Sequence, residues 1–375
     1  HKQGELIVLL NTDHDITQVI YDLNRNLPQA KASVIRSLSP DMNLWQISYN
    51  EISVGQTRVF NWGANNQAIS LIQANGWVSL RQKKPNDPLY GNQWQYRNQG
   101  QSGGKAGADM DAEQAWETTT GGLTPNGDTI VLCIIDDGVK TQHPDIQTNL
   151  WVNYGEIPGN GIDDDQNGYT DDRLGWNAEK NNNDITDGGL GGFHGLPVAA
   201  LAGADGDNAL GVAGVNWKVK LMIIVGGNGT EADILAAYAY PLSMRKRYNQ
   251  SQGKEGAYVV GTNSSWGRDF GRPAQSPLWC AMYDSLGAAG ILNAVATANA
   301  DVNVDVLGDL PSTCESDFLI AVTNIDRRDE KVVDAGYGTQ HVDIAAYGED
   351  AYTASAFRNG YGAFGGTSGA TPHVA

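Results

Sequence analysis

The pattern of apolar and polar positions divides the chain into two segments. In the first segment, short alternating runs are separated by two stretches with apolar residues at helical spacing. The pattern predicts strands over 5–10, 32–38, 44–49 and 77–81 and helices over 15–27 and 65–75. This order of elements is typical of a small α+β sandwich of the split βαβ, ferredoxin-like type.

After residue 82 the apolar runs become nearly continuous and are separated by glycine-rich loops and helices. Runs of this kind are typical of a mostly parallel sheet that is covered on both faces. The predicted strands lie at 130–135, 219–225, 257–260, 291–296, 318–322 and 342–346, and helical spacing extends over 231–248 and 277–286. The second segment is therefore predicted to be an α/β domain, whose ligand site is expected at the carboxyl ends of its strands.

Charge adds a boundary and excludes some partners. The 375 residues contain 43 acidic and 25 basic side chains, a net charge of −18, yet residues 1–82 hold six of each. This asymmetry, with the basic, proline-containing sequence RQKKPNDP at 81–88, predicts domains 1–82 and 83–375. A strongly negative field repels nucleic acid. No apolar run approaches the roughly 18 residues of a membrane span.

The cysteines are too few for a disulfide framework. There are three, and Cys133 lies inside an apolar run, which predicts that it is buried. A pairing of Cys280 with Cys314 stays open.

Three segments place reactive side chains at the ends of predicted elements. Asp136 ends the first long apolar run, His194 opens an alanine-rich helical stretch, and Ser368 begins a helix after two glycines and a threonine. Each has an ordinary structural explanation when taken alone, as a cap, a satisfied histidine or a turn. Together they supply the hydroxyl, imidazole and carboxylate that acyl transfer needs.

In their order along the chain, these motifs resemble those of the subtilisin-like serine proteases, the subtilases. The matching segments are IIDDGVKTQHPDI (134–146), HGLPVAA (194–200) and GGTSGATPHVA (365–375), and the resemblance covers residues 83–375. It implies a three-layer subtilisin-like fold and a serine endopeptidase. In that enzyme Ser368 is the nucleophile, His194 the general base and Asp136 the residue that orients the histidine.

The resemblance implies further roles. Asn299 in ILNAVATANAD corresponds to the oxyanion-binding amide, and Ser265, Trp266 and Gly267 in GTNSSWG correspond to the strand that binds an extended peptide substrate. Residues 1–82 resemble the subtilase propeptide, a chaperone and inhibitor, which places self-cleavage within 79–84. The alternative for this segment is an unrelated N-terminal interaction domain.

The chain also departs from the subtilase pattern. Leu196 and Pro197 stand where the family usually has threonine and histidine, and Ala298, Gly365 and Gly369 replace the usual glycine, asparagine and methionine. The alternative function is therefore a catalytically weak or inactive pseudoprotease that acts as a peptide-binding module. Esterase or lipase activity is a weaker third interpretation, because the Gly-x-Ser-x-Gly elbow is missing.

An acidic loop predicts calcium binding. Asp163, Asp165 and Asn167 alternate in GNGIDDDQNGYTDD and are followed by glycine, as in the first half of a calcium loop. Position twelve of that pattern is not glutamate, so Asp171 and Asp172 are expected to complete the site. The alternative is an acidic loop without metal, although nine acidic residues over 156–187 would repel one another.

The resemblance implies a second calcium site. Its predicted ligands are the side chains of Asp87, Asp145 and Asn208 and the backbone carbonyl groups of Leu210 and Val212.

These inferences predict a secreted or extracytoplasmic protein whose leader is not part of this sequence. Its expected partners are protein or peptide substrates and its own prosegment. The sequence stops seven residues after Ser368, so we expect the catalytic domain to be truncated at its C-terminal end, as a fragment of a longer chain.

Overall fold

The structure is a computed structural model that describes residues 1–76, 83–186 and 191–375. The chain divides into two compact units, His1–Arg81 and Gln82–Ala375. The strand predicted over 77–81 and most of the predicted cleavage segment lie outside the described residues.

The first unit is a four-stranded antiparallel sheet with helices. Its elements are β1 (Glu5–Leu10), α1 (Ile16–Asn26), β2 (Ser33–Ser39), β3 (Leu44–Ser48), α2 (Glu51–Val54), α3 (Gln56–Ala64) and β4 (Ile69–Ala74). The strand order is β2-β3-β1-β4. Because β3 pairs antiparallel with both β1 and β2, those two strands run in the same direction with β3 between them. This is the predicted split βαβ arrangement.

The prediction of a helix over 65–75 is wrong. The second helical region lies earlier, in α2 and α3, and most of the predicted helix is strand β4. Ile69 and Ile72 are β-branched, and they pair with Leu10 and Val8 of β1. Pairing with β1 therefore overrides the local helical spacing, as is common for β-branched residues at the edge of a sheet.

The second unit is built on a parallel sheet. Its strands are β5 (Val131–Asp136), β6 (Gly175–Asn177), β7 (Lys220–Val225), β8 (Val259–Ser264), β9 (Arg268–Asp269), β10 (Leu292–Ala296), β11 (Asp309–Leu310), β12 (Leu319–Ile325), β13 (Ile344–Tyr347), β14 (Ala351–Ser355) and β15 (Gly360–Phe364). Within the described ranges, the large sheet has the order β13-β12-β10-β8-β5-β7-β6. The pairs β9 with β11 and β14 with β15 are antiparallel.

The helices of this unit connect the strands. They are α4 (Ala112–Thr118), α5 (Pro144–Gln147), α6 (Gly195–Gly203), α7 (Glu231–Ser251), α8 (Pro277–Ala289), α9 (Val304–Leu307) and α10 (Thr367–Ala370). The six predicted strands correspond to β5, β7, β8, β10, β12 and β13, and the two predicted long helices to α7 and α8. The pattern did not indicate the three-residue β6 or the short antiparallel pairs.

The central strand β5 shows why the unit has three layers. Cys133 and Ile135 pack in one core with residues of α7 and α8. Leu132 and Ile134 belong to a second core with residues of α6. Successive residues of a strand point to opposite faces, so the sheet is covered on both sides and the α/β prediction is confirmed.

The cysteines divide into one buried thiol and one disulfide. Cys133 is free and buried, as predicted. Cys280 of α8 is joined by a disulfide to Cys314, which follows β11. Within the part of the chain that the structure describes, no helix combines the length and apolarity needed to cross a membrane.

Candidate active site

The predicted catalytic residues lie at the carboxyl edge of the parallel sheet. Asp136 is the last residue of β5, and the neighbouring strands β8 and β10 lead directly into Ser265 and the segment containing Asn299. Parallel strands end at a common edge. The sheet topology therefore brings together residues that are far apart in sequence.

Asp136 and His194 form a hydrogen-bonded pair. The Oδ1 atom of Asp136 lies 2.8 Å from Nδ1 of His194 and also accepts the Asp137 N–H at 2.8 Å. The side chain of Asp136 is 4% exposed and that of His194 is 38% exposed. Burial lowers the pKa of His194, but the hydrogen bond and charge of Asp136, with the charge of Asp137, outweigh burial and raise it. The pair therefore favours a basic imidazole that is open to solvent.

Asp137 holds the start of the histidine helix. Its carboxylate accepts the backbone N–H groups of Gly192 (3.1 Å), His194 (3.2 Å) and Gly195 (2.6 Å). These donors lie at the N-terminus of α6, where an anion is favourable. The sequence did not indicate this role, although Asp137 directly follows a predicted catalytic residue.

The departure from the family pattern at Leu196 and Pro197 leaves the helix intact. Both residues are buried within α6. Pro197 lies in the first turn, where a backbone N–H has no acceptor within the helix, so its missing donor costs little.

Ser368 is held against the end of β8. Its Oγ donates to the backbone carbonyl oxygen of Ser265 (2.9 Å), and the Oγ of Ser265 donates to the carbonyl oxygen of Ser368 (3.1 Å). Among the described residues, no hydrogen bond joins the Ser368 hydroxyl to His194. The ring of Phe364 packs edge-on against His194, with centroids 5.3 Å apart. The hydroxyl proton of Ser368 is therefore directed at Ser265 rather than at the imidazole, and catalytic hydrogen bonds often form only in the substrate complex.

The amide of Asn299 is fixed through its oxygen. Its Oδ1 accepts the backbone N–H of Thr367 (2.9 Å) and lies 3.0 Å from the Thr367 hydroxyl, whose single proton is shared with the carbonyl oxygen of Thr297 (2.6 Å). Gly366 allows this approach, because a Cβ atom there would lie 2.7 Å from Oδ1. With the oxygen held on this side, the Nδ2 donors are directed elsewhere and are available to an oxyanion.

The predicted substrate-binding residues line a pocket beside Asn299. Its walls are formed by Ser265, Trp266, Gly267, Asp269, Ala296, Thr297, Ala298, Asn299, Asp309 and Thr367. Trp266 is held by its Nε1, which donates to the carbonyl oxygen of Ile135 (2.6 Å). Asp309 was not predicted from the sequence, because the segment GDLPST does not indicate which side chains face a pocket.

The acidic loop gathers three carboxylates. Oxygen atoms of Glu156, Asp163 and Asp165 all lie within 4.8 Å of one another. Glu156 is buried, and the Oδ1 of Asp165 is buried without a hydrogen-bond partner. Such an arrangement fits a hard cation, because buried carboxylate oxygens are otherwise expected to be hydrogen-bonded. Glu156 was not among the predicted ligands.

The other predicted ligands of this loop have partners within the protein. Asp171 accepts the backbone N–H groups of residues 159–161. Asp172 is buried and accepts from the Tyr240 hydroxyl and from Nδ2 of Asn167 (2.8 Å). Asn167 also donates to Oδ2 of Asp165 at 3.3 Å. These three side chains shape the loop around the carboxylate group.

The residues of the second predicted site also lie close together. The Oδ2 of Asp87 accepts the Asp207 N–H (2.7 Å), and the Oδ2 of Asp145 accepts the Val212 N–H (2.8 Å). The Oδ1 of each aspartate is buried without a partner. Asn208 accepts the Leu210 N–H through its Oδ1 at 2.7 Å. Two unpaired buried carboxylate oxygens again fit a cation.

The chain is similar to known serine proteases of the subtilisin type. The family model described as "Subtilase family" matches residues 127–375, and the chain belongs to this family.

One curated relative is the subtilisin-like protease 1 of Plasmodium berghei (strain Anka). It is 29% identical over 276 residues, which are 68% of this chain and 43% of the relative. This chain therefore spans less than half the length of that relative.

Two solved structures share the fold. A protease from Pseudoalteromonas arctica has a TM-score of 0.55 at 20% identity, over 78% of this chain and 85% of that chain. The epidermin leader peptide processing serine protease EpiP from Staphylococcus aureus has a TM-score of 0.53 at 16% identity, over 99% of this chain and 85% of that chain. At these identities the likeness shows the fold alone.

Proposed function

We propose that this protein is a calcium-stabilised serine endopeptidase that hydrolyses peptide bonds and is made as a self-processing zymogen. The observation that carries the proposal is the 2.8 Å hydrogen bond between Asp136 and His194, at the sheet edge where Ser368 is bonded to Ser265. A carboxylate, an imidazole and a hydroxyl in this setting can perform acyl transfer.

Acylation begins when the Ser368 hydroxyl turns from the Ser265 carbonyl to His194. Its Oγ attacks the scissile carbonyl carbon while Nε2 of His194 takes the proton. Asp136 keeps Nδ1 protonated and stabilises the imidazolium that forms. His194 then gives its proton to the leaving amine, and the acyl-enzyme remains on Ser368. In deacylation the same imidazole takes a proton from the attacking water and returns it to Oγ.

The negative charge of the tetrahedral intermediate needs fixed donors. Asn299 supplies its Nδ2, because Thr367 holds its oxygen. Ser368 supplies its own backbone N–H in the first turn of α10, where N–H groups lack acceptors within the helix. Donors that are already in place do not have to reorganise during the reaction.

Calcium would be held by Glu156, Asp163 and Asp165 in the acidic loop, with Asn167 beside them. At the second site, Asp87, Asp145 and Asn208 would bind with the carbonyl groups of Leu210 and Val212. The unpaired oxygens of Asp165, Asp87 and Asp145 support these assignments. Bound calcium would supply neutralisation of these carboxylates and would take no part in the chemical step.

Residues 1–82 are proposed to be the propeptide, released by self-cleavage within 79–84. The compact split βαβ unit, separate from the protease fold, supports this assignment. The protein is proposed to be secreted or extracytoplasmic and to act on protein or peptide substrates. The Cys280–Cys314 disulfide supports this location, because disulfides persist in oxidising compartments.

Labelling with a fluorophosphonate probe tests the function. We expect the probe to modify Ser368 in the wild-type protein and in the control Ser285→Ala, whose serine is exposed on α8. The variant Ser368→Ala should neither be labelled nor cleave the 79–84 segment. A folded wild-type protein that is unlabelled and keeps an intact junction would instead be a non-catalytic peptide-binding module.

A further inference from the structure

Two carboxylates face each other across the short antiparallel pair β9 and β11. Asp269 is the direct register partner of Asp309. Like charges placed directly opposite each other in a ladder destabilise it. Both residues line the pocket that also contains Asn299 and the Ser265–Gly267 segment. This pocket is therefore strongly acidic at one wall.

Asp309 is buried, with 1% of its surface exposed. Its Oδ2 accepts the Ala298 N–H (3.0 Å) and the Ser312 hydroxyl (2.5 Å). Across the described ranges, no hydrogen bond reaches its Oδ1. These contacts fix the carboxylate while leaving one oxygen for a ligand.

The protein supplies Asp309 with no positive partner among the residues that the structure describes. Arg268, the neighbour of Asp269 in β9, is instead bonded to Glu231 and to Ser276 (2.8 Å). Burial, opposed in part by the two hydrogen bonds, raises the pKa of Asp309 to about 7. A buried carboxylate without a counter-charge is costly, and a cation brought by a ligand would relieve that cost.

We propose that Asp309, with Asp269 at the edge of the pocket, makes the enzyme select a lysine or arginine side chain at the residue whose carbonyl group is attacked. This inference rests on the proposed function. The position follows from the pocket walls, since Asn299 and Thr367 adjoin the nucleophile Ser368. A side chain that enters beside them belongs to the residue that carries the scissile carbonyl.

The same chemistry disfavours other side chains. An acidic side chain would meet two carboxylates, and an apolar one would cover Asp309 without pairing its free oxygen. A site built around a buried polar group rejects ligands that leave it unpaired more strongly than an apolar pocket rejects a wrong shape.

The test measures kcat/KM of the processed full-chain enzyme on two peptides that differ only in lysine or norleucine at this position. We expect wild type to prefer lysine at least 100-fold. Asp309→Asn keeps an acceptor for Ala298 but loses the charge, and should reduce the ratio about tenfold or more. Asp269→Asn should reduce it less, because Asp269 is exposed. Asp317 is exposed and precedes β12, at the amino end of the sheet, so Asp317→Asn is the charge-matched control and should keep the wild-type ratio.

Two results would overturn the inference. One is a wild-type enzyme that cleaves the norleucine peptide as well as the lysine peptide. The other is an Asp309→Asn variant that loses both activities equally, which would make Asp309 a purely structural residue. Fluorophosphonate labelling separates these results from failure of the proposed function, because a labelled enzyme without a basic preference contradicts the specificity alone.

Discussion

The hydroxyl of Ser368 donates a 2.9 Å hydrogen bond to the backbone carbonyl oxygen of Ser265. That carbonyl belongs to the segment proposed to pair with an extended substrate, so the proposed nucleophile is hydrogen-bonded to the proposed substrate-binding backbone. His194 meanwhile keeps its contact with Asp136. The proposed base is thus oriented by Asp136 while the Ser368 hydroxyl is bonded to Ser265.

The pH dependence of kcat/KM should report the charge around His194. Asp136 and Asp137 raise the pKa of His194 despite its burial. The imidazole must be neutral to accept a proton, so activity should fall as the pH drops through a value above about 6.5.

Asp136→Asn should move this acid limb to lower pH, because it removes both a charge and the charged hydrogen-bond partner. The rate itself should drop by about 10⁴-fold, as expected when the histidine loses its orienting carboxylate. Stopped assays from about pH 4.5 to about pH 8.5, roughly two units on either side of the ordinary imidazole pKa of about 6.5, measure both effects. An acid limb that stays in place in this variant would contradict the assignment of His194 as the base.

Asn299→Ala should lower kcat by about 10²–10³-fold with little change in KM, because an oxyanion donor acts mainly in the transition state. Thr367→Val removes the hydroxyl shared between the Asn299 oxygen (3.0 Å) and the Thr297 carbonyl oxygen (2.6 Å), and leaves the Thr367 N–H on Asn299. It should lower kcat by a smaller factor.

The double variant provides the control for this pair. If Thr367 acts through Asn299, adding Thr367→Val to Asn299→Ala should cause little further loss of kcat. Full multiplication of the two single effects would show that the threonine hydroxyl acts independently. Thermal unfolding of each variant checks that the fold is retained.

Calcium should stabilise the protein through the acidic loop. Asp165→Asn and Asp163→Asn should each lose most of the rise in Tm that this site gives when calcium is added. At a calcium concentration 100 times Kd, the stabilisation from one site is about 2.7 kcal/mol. Differential scanning calorimetry with calcium and with a chelator measures this difference.

Asp164→Asn is the matched control. Asp164 lies between the two tested residues, and its carboxylate accepts from the Ile157 N–H and from Asn160 within the loop. Its variant should keep the calcium-dependent rise in Tm. Equal losses in all three variants would indicate general disruption of the loop rather than loss of ligands.

Asp309 should make stability fall as the pH rises. Its folded pKa of about 7 lies above the ordinary value of 3.8. The favourable contribution of Asp309 to the free energy of unfolding is therefore complete below pH 3.8 and is lost as the pH rises through about 7. Asp309→Asn should unfold at a higher temperature than wild type at pH 8, and this advantage should shrink toward pH 4. A variant that is less stable than wild type at pH 8 would contradict the buried, uncompensated charge.

The sequence predicted the parallel sheet because its strands are buried on both faces. A strand such as the one that ends at Asp136 can be recognised without knowing its neighbouring strands, because a nearly continuous apolar run indicates burial on both faces. The strand β4 was mistaken for a helix because its assignment depends on pairing with β1, and the spacing of Ile69, Leu71 and Ile72 carries no information about that partner.

The candidate site divides in the same way. Asp136, His194 and Ser368 stand in distinct local motifs, so their roles were predicted from the sequence. Asp309 became recognisable only when β11 paired with β9. Glu156 joined Asp163 and Asp165 only when the acidic loop closed. Their roles come from contacts between segments, which one sequence does not display.

Two consecutive residues, Asp136 and Asp137, each form a hydrogen bond with His194. Asp136 holds the imidazole, and Asp137 holds the backbone that carries it. Because both the side chain and the backbone of His194 are hydrogen-bonded to the end of β5, that strand end fixes the position and the orientation of the histidine. The side chains of α6 are therefore not needed to position His194. Its nine residues, from Gly195 to Gly203, are free to be wholly apolar, including the proline that breaks the usual pattern of the family.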